Sequence, residues 1–161
     1  MIIFTPNTVI KSTEVNSNFS EAIDSTAHTN NYKFSVYRNA AFGGGGTIVY
    51  DVENFDTNNN YSTSTGRYTA PVSGYYQFNV NSSQTVTGAP QDPQIILNKN
   101  GTTEVGYSHF VNMYNGASSG NANVSVLIYL VASDYVYCYA SRPLDVASAA
   151  RNNFSGYFVS K

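Results

Sequence analysis

The sequence predicts an all-β chain: an antiparallel two-sheet jelly-roll sandwich preceded by a short N-terminal amphipathic helix. Three observations carry this. Tyr, Val, Thr and Phe, which suit a pleated and half-buried surface, are plentiful, with 14 Tyr and 9 Phe. Leu, Glu and Lys, strong helix formers, number only four each among 161 residues. From Tyr32 onward, short apolar runs alternate with turn signals at sandwich-like spacing, and no helical period separates them.

The length is one domain's worth of chain, enough to build a core without covalent staples. Charged residues make up 11%, under half of the usual share of about 25%. Neutral polar residues replace them: 20 Asn, 19 Ser and 14 Thr. The net charge is −2 and no Lys/Arg run exists, so no nucleic-acid partner is expected. The lone Cys138 excludes an internal disulfide framework and a multi-Cys zinc site. The start, Met1-Ile2-Ile3-Phe4-Thr5-Pro6-Asn7, lacks the cationic and apolar regions of a signal peptide, and none is expected. No apolar stretch is long enough to span a membrane as a helix.

Residues 1–31 read as a docking segment. Ser12 can cap a helix, and Glu14 in the first turn favours its dipole. Val15, Phe19, Ala22 and Thr26, with Ile23 beside them, form one apolar face. A helix of about three turns is marginal alone, so this face needs something to pack on. His28-Thr29-Asn30-Asn31 reads as a hinge.

Residues 32–161 read as strands and turns. Phe34-Ser35-Val36-Tyr37 alternates, Gly43 to Gly46 is a loop, and Thr47-Ile48-Val49-Tyr50-Asp51-Val52 is a strand. A polar turn, Asp56 to Asn60, follows. Arg67-Tyr68-Thr69-Ala70 is a short strand stopped by Pro71, and Tyr75 to Val80 is the next. Gln94-Ile95-Ile96-Leu97-Asn98 enters Asn100-Gly101, the strongest short hairpin signal. Val124 to Val131, Tyr135 to Tyr139 and Phe154 to Val159 complete the set.

Thr65-Gly66-Arg67-Tyr68-Thr69-Ala70-Pro71, followed by Gly74-Tyr75-Tyr76-Gln77-Phe78, resembles the signature of the C1q-like jelly roll, a relative of the tumour-necrosis-factor fold. Phe34-Ser35-Val36, Ile96-Leu97-Asn98-Lys99-Asn100-Gly101, Leu130-Val131-Ala132-Ser133-Asp134-Tyr135-Val136 and Phe154-Ser155-Gly156-Tyr157-Phe158 are similar to further family elements in the same order. Ser133 stands where the family has Gly. The segment from Phe4 to Phe19 is similar to the leading segments of bacteriophage tail-fibre and other virion proteins. The two resemblances imply a homotrimer, docked through residues 1–31 onto another virion protein by Phe4, Val9, Val15, Phe19, Ala22 and Ile23. They also imply a virion location after assembly in the host cytoplasm.

Tyr is amphipathic and enriched at interfaces, so some of Tyr75, Tyr76, Tyr137, Tyr139, Phe154 and Tyr157 are expected to face a sister subunit. A host surface glycan or protein is the expected outer partner. The candidate contacts are Gln91 and Asp92 in the loop from Thr85 to Pro93, and Asn112, Met113, Tyr114 and Asn115 in the loop from Asn112 to Asn121. Loops on a rigid β scaffold are where binding residues concentrate.

No enzymatic chemistry stands out. His28 and His109 lie about eighty residues apart, and no nucleophile elbow surrounds any Ser. Asp92 and Glu104 flank a hairpin and could approach as a glycosidase pair, but turn acids are mostly solvated. Asp134 reads as a turn residue. Some C1q-like proteins bind calcium near the trimer apex, but no dense Asp cluster occurs here and no metal or cofactor is expected. Gly43-Gly44-Gly45-Gly46 lacks the Lys and helix of a phosphate cradle. Cys138 between Tyr137 and Tyr139 reads as a buried small hydrophobe. The expected function is a non-enzymatic virion protein, a trimeric knob at a tail-appendage attachment tip. A capsid-decorating trimer is the alternative placement, and a soluble C1q-like lectin or adaptor the alternative class.

Overall fold

Alternation of buried and exposed side chains builds the strands of the computed structural model, which describes residues 32–88, 91–111, 116–145 and 151–161. The chain divides into two units, Met1–Asn31 and Tyr32–Lys161, and all described residues belong to the second. The expected N-terminal helix and the docking residues Phe4, Val9, Val15, Phe19, Ala22 and Ile23 lie outside the described residues.

The strands in chain order are β1 (Lys33–Tyr37), β2 (Gly46–Thr47), β3 (Val52–Asp56), β4 (Tyr61–Ser62), β5 (Arg67–Thr69), β6 (Gly74–Val86), β7 (Gln94–Lys99), β8 (Thr103–His109), β9 (Ser118–Leu130), β10 (Tyr135–Ala140) and β11 (Asn153–Ser160). One sheet runs β3-β1-β11-β6-β9, and the other runs β4-β5-β10-β7-β8 with β2 also on β10. All pairings are antiparallel. Successive segments cross between the two sheets, as a jelly roll requires. We call the first the A sheet and the second the B sheet.

Phe34, Val36, Tyr76, Phe78, Val80 and Phe154 line the inner face of the A sheet. Tyr68, Ile95, Leu97, Val136 and Cys138 line that of the B sheet. Phe34 is the hub. Its ring stacks on Tyr68 at 4.5 Å between centroids and meets Phe154 edge-on at 4.8 Å. Tyr61 and Phe78 complete its surroundings at 5.6 and 6.3 Å. Gly156, opposite Phe34 in the β1–β11 register, gives these rings room. A Cβ there would stand 2.5 Å from the Phe78 ring and 2.9 Å from the Phe34 ring.

One end of the sandwich is closed by polar groups. Ser82, Ser83 and Gln84 are buried in β6, so its alternation breaks. Gln84 is fully buried; its amide donates to Gln94 O at 3.0 Å, and its Oε1 accepts from Arg142 N at 3.1 Å. Buried Asn152 accepts from Ser83 N at 2.9 Å and donates to Asp145 O. Gln84 and Asn152 therefore have partners for both ends of their amides, which removes most of the desolvation cost.

Two sequence readings need correction. The segment from residue 47 to 52 is not one strand: β2 pairs β10 in the B sheet, and β3 pairs β1 in the A sheet. Between them Ile48 and Tyr50 fill the core. Arg38 holds the crossing open, donating to the carbonyls of Val49, Ala40 and Ala41, the last two at 2.8 and 2.7 Å. The loops expected at 85–93 and 112–121 are shorter than their sequences suggested. β6 extends through Val86, and β9 begins at Ser118. Their paired ends are rich in Ser, Gln and Asn, so no apolar alternation marked them.

Gly156→Ala should lower stability by about 1–3 kcal/mol, because the new methyl group enters a filled aromatic cluster. Thermal unfolding of the variant beside the parent measures this; an unchanged midpoint would show that the rings near Gly156 have room to move.

Candidate functional site

Two open sheet faces and one edge carry most of the exposed apolar groups among the described residues; Val111 and Val131 lie in connecting segments. On the A sheet, Tyr75, Leu127, Tyr129, Tyr157 and Val159 are each between 43% and 53% exposed. Tyr75 lies directly opposite Tyr129, with rings 5.3 Å apart, edge to face. Gln77 lies between Leu127 and Tyr157 in register. Beyond Gln77 the same face turns polar. Gln77 donates to Ser125 Oγ at 3.1 Å, Ser125 Oγ donates to Asn79 at 2.9 Å, and Asn81 donates to Asn153 at 3.1 Å. The face is thus divided into an apolar half and a neutral polar half.

The neighbouring edge is apolar too. Val105 of β8 and Val126 and Ile128 of β9 pack on the core yet stay half-exposed. β8 comes close to β9 here: a Cβ on Gly106 would stand 2.5 Å from Val124.

The outer face of the B sheet carries Tyr135, Tyr137, Tyr139, Ile96 and Tyr107. Tyr135 and Tyr137 stack at 6.3 Å, and the Arg67 guanidinium lies 4.2 Å over the Tyr135 ring. The Tyr137 hydroxyl donates to Gly101 O in the β7–β8 turn. Between these outward rings, Cys138 is fully buried, and burial pushes its thiol well up, so it stays protonated.

These positions divide the six tyrosines and phenylalanines expected at a sister subunit. Tyr76 and Phe154 are fully buried in the domain's own core and are not available to any partner. Tyr75 and Tyr76 are adjacent in one strand, so the pleat sends them to opposite faces. Tyr75 and Tyr157 lie on the open A face. Tyr137 and Tyr139 lie on the outer B face, across the sandwich from them. Tyr129 and Leu127, which share the apolar half of the A face, were not singled out from sequence. Their one signal was alternation within an apolar run.

Of the expected receptor residues, Asn112, Met113, Tyr114 and Asn115 lie outside the described residues. Gln91 is half-buried and donates to Thr87 O at 3.0 Å. Asp92 is exposed, 3.9 Å from His109. Glu104 pairs with Asn98, six residues along from Asp92, or about 20 Å of extended chain. The register does not bring this carboxylate pair together. Among the described residues, no group of three or more His, Cys, Asp or Glu is placed to hold a metal ion.

The C1q domain family matches residues 33–159. The chain belongs to the C1q family. Among solved structures, the globular domain of the zebrafish complement 1qA protein matches with a TM-score of 0.62 at 19% identity. That match covers 81% of this chain and 98% of the zebrafish chain. Comparison with curated proteins gives no match.

The C1q signature residues have local physical reasons. Gly66 takes φ +73°, and a Cβ on it would stand 2.5 Å from Ile48 O. Ser133, where Gly is usual in C1q chains, adopts φ +76°. That conformation costs an L-residue about 1–2 kcal/mol. Its neighbour Asp134 braces the turn: the carboxylate accepts from Val131 N at 2.8 Å and Asn100 Nδ2 at 2.6 Å, and it pairs with Lys99 Nζ at 2.7 Å. Asn100 Oδ1 in turn accepts from Tyr135 N at 2.9 Å. The hairpin signal Asn100-Gly101 and the C1q turn at Ser133-Asp134 are therefore one apex.

Partial burial pulls the Asp134 carboxyl up, but the bonds from Lys99, Asn100 and Val131 outweigh it and hold it below its ordinary value of 3.8. A depressed folded value stabilises the fold above the unfolded value, and that stability is lost as pH falls through the folded one. Asp134→Asn should melt lower than the parent at neutral pH, and the gap should shrink below about pH 4. Melting curves across this range test it; a gap that stays constant down to acid would remove the carboxylate from the account.

Proposed function

We propose that this chain is a non-enzymatic bacteriophage virion protein whose C1q domain assembles into a homotrimer and faces outward as a host-attachment knob. The observation that carries the trimer is the apolar half of the A face, with Tyr75, Leu127, Tyr129, Tyr157 and Val159 open to solvent in one subunit. A contiguous apolar patch on a single subunit marks an interaction site. The half-exposed edge of Val105, Val126 and Ile128 is a second, different surface. When a face of one copy meets an edge of the next, the contact is heterologous, and such contacts form a ring where the rotation between copies closes. The family membership favours three copies. The segment from Phe4 to Phe19, similar to leading segments of virion proteins, supports docking onto a particle through residues 1–31.

Light scattering of the full chain should give three times its 17.5 kDa mass. Tyr129→Asp should give a folded monomer, because the contact would bury an unpaired carboxylate at a cost of several kcal/mol per copy. Trimers of the variant, or monomers of the parent at micromolar concentration, would overturn the assembly.

The docking half has its own test. Phe19→Asp should leave a trimeric knob that fails to enter particles, since burying this Phe is worth about 1.5–3 kcal/mol per copy and three linked copies compound the loss. Protein analysis and labelled imaging of purified virions read both incorporation and placement, on the tail or on the capsid. Absence of the parent protein from virions would refute the virion reading and favour a soluble lectin or adaptor.

A further inference from the structure

The outer face of the B sheet is not used by the proposed assembly, and its side chains have a specific arrangement. Thr47, Tyr139, Ile96 and Tyr107 lie in one row across four strands, because Tyr139 pairs with both Thr47 and Ile96, and Ile96 pairs with Tyr107. Tyr107 is 47% exposed. Adjacent strands lie about 4.8 Å apart, so the row is an aromatic strip about 15 Å long. At its Tyr107 end, the His109 ring stands 5.4 Å from the Tyr107 ring. The Tyr137 hydroxyl is already bonded to Gly101 O, but those of Tyr107 and Tyr139 have no partner among the described residues.

Few free charges lie around the strip. Arg67 lies on the Tyr135 ring, and Lys99 is paired with Asp134 at 2.7 Å. Asp92 and Glu104 are the exposed acids on its Tyr107 side. Such a surface has no cationic cluster to hold an anionic polymer, and too few acids to select a cationic one. It offers flat rings, a central aliphatic residue and phenolic donors in a line. Those groups suit a ligand with alternating C–H faces and hydroxyls.

We infer that the row of Tyr139, Ile96 and Tyr107 is a binding strip for an uncharged polysaccharide chain, laid across the strands of the B sheet. The inference rests on the reading of the domain as an outward-facing knob, and it names the partner class and the surface. Sugar rings stack on Tyr107 and Tyr139, and the two hydroxyls bond the chain. Each site is weak, and several copies on one particle or one assembly act together.

The test is affinity electrophoresis of the full chain in native gels containing dextran, galactomannan or polygalacturonate. Retardation is expected with at least one neutral polymer and not with the polygalacturonate, with little change as salt is raised. Tyr107→Ala and Tyr139→Ala should each weaken retardation by about tenfold, and Tyr139→Phe should retain most of it, since stacking contributes more than the hydroxyl. Melting curves and light scattering check that each variant keeps the parent's fold and mass. Retardation by none of the three polymers, by polygalacturonate alone, or equally in parent and both alanine variants would overturn the inference. Whole-cell binding that protease treatment of the cells abolishes would do the same, by identifying a protein partner. None of these outcomes bears on the light-scattering mass or on detection in virions, so the strip and the knob reading fail separately.

Discussion

The contact of Phe34 with Tyr68 is the constraint on which the rest of the domain depends. Phe34 comes from the A sheet and Tyr68 from the B sheet, so this stack joins the two layers directly. Phe154 and Phe78 then wedge against Phe34 from the neighbouring strands. Aromatic pairs in this geometry contribute about 0.5–1.5 kcal/mol beyond the area they bury. The cluster admits no further atoms at Gly156, which explains why a residue without a side chain sits in the middle of β11. Two of the signature elements, around Tyr68 and around Gly156, are thus two sides of the same packing problem.

Once the core has taken its rings, the pleat fixes where the others go. Tyr76 and Phe78 point inward, so Tyr75 and Gln77 must point outward; Val136 and Cys138 point inward, so Tyr135, Tyr137 and Tyr139 must point outward. Outward tyrosines on the A face adjoin Leu127 and Val159 and make an apolar patch. Outward tyrosines on the B face adjoin Arg67, Thr47 and a hairpin and make a polar aromatic surface. The same residue type therefore supports two kinds of contact, distinguished only by its neighbours across the sheet.

Neutral polar side chains replace charge in building the domain. Gln84 and Asn152 close one end by bonding backbone groups that the strands leave over. Asp134 and Asn100 close the other by tying two turns together. An amide can be buried with both ends satisfied at far lower cost than an ion. The abundance of Asn and Ser is thus partly structural.

The sequence by itself determined the fold class, the family and most strands. Alternation and turn chemistry are local, and the signature from Thr65 to Phe78 is contiguous. Asn100-Gly101 marked its hairpin because the turn needs left-handed backbone at those residues, and they adopt it at φ +47° and +109°. Local pattern failed where a partner elsewhere in the chain decided the outcome. The segment from 47 to 52 broke in two because β10 and β1 lie in different sheets and Arg38 takes the carbonyl between. Tyr76 and Phe154 left the list of interface residues, and Tyr129 and Leu127 joined the exposed face, because register alone tells inward from outward. Asp92 and Glu104 stayed apart because the β7–β8 pairing placed them at different heights. Only the tertiary structure aligned Tyr139, Ile96 and Tyr107, which are 43 residues apart at their extremes in the chain but neighbours across the sheet: hydrogen-bond register is a relation between strands, and no single strand contains it.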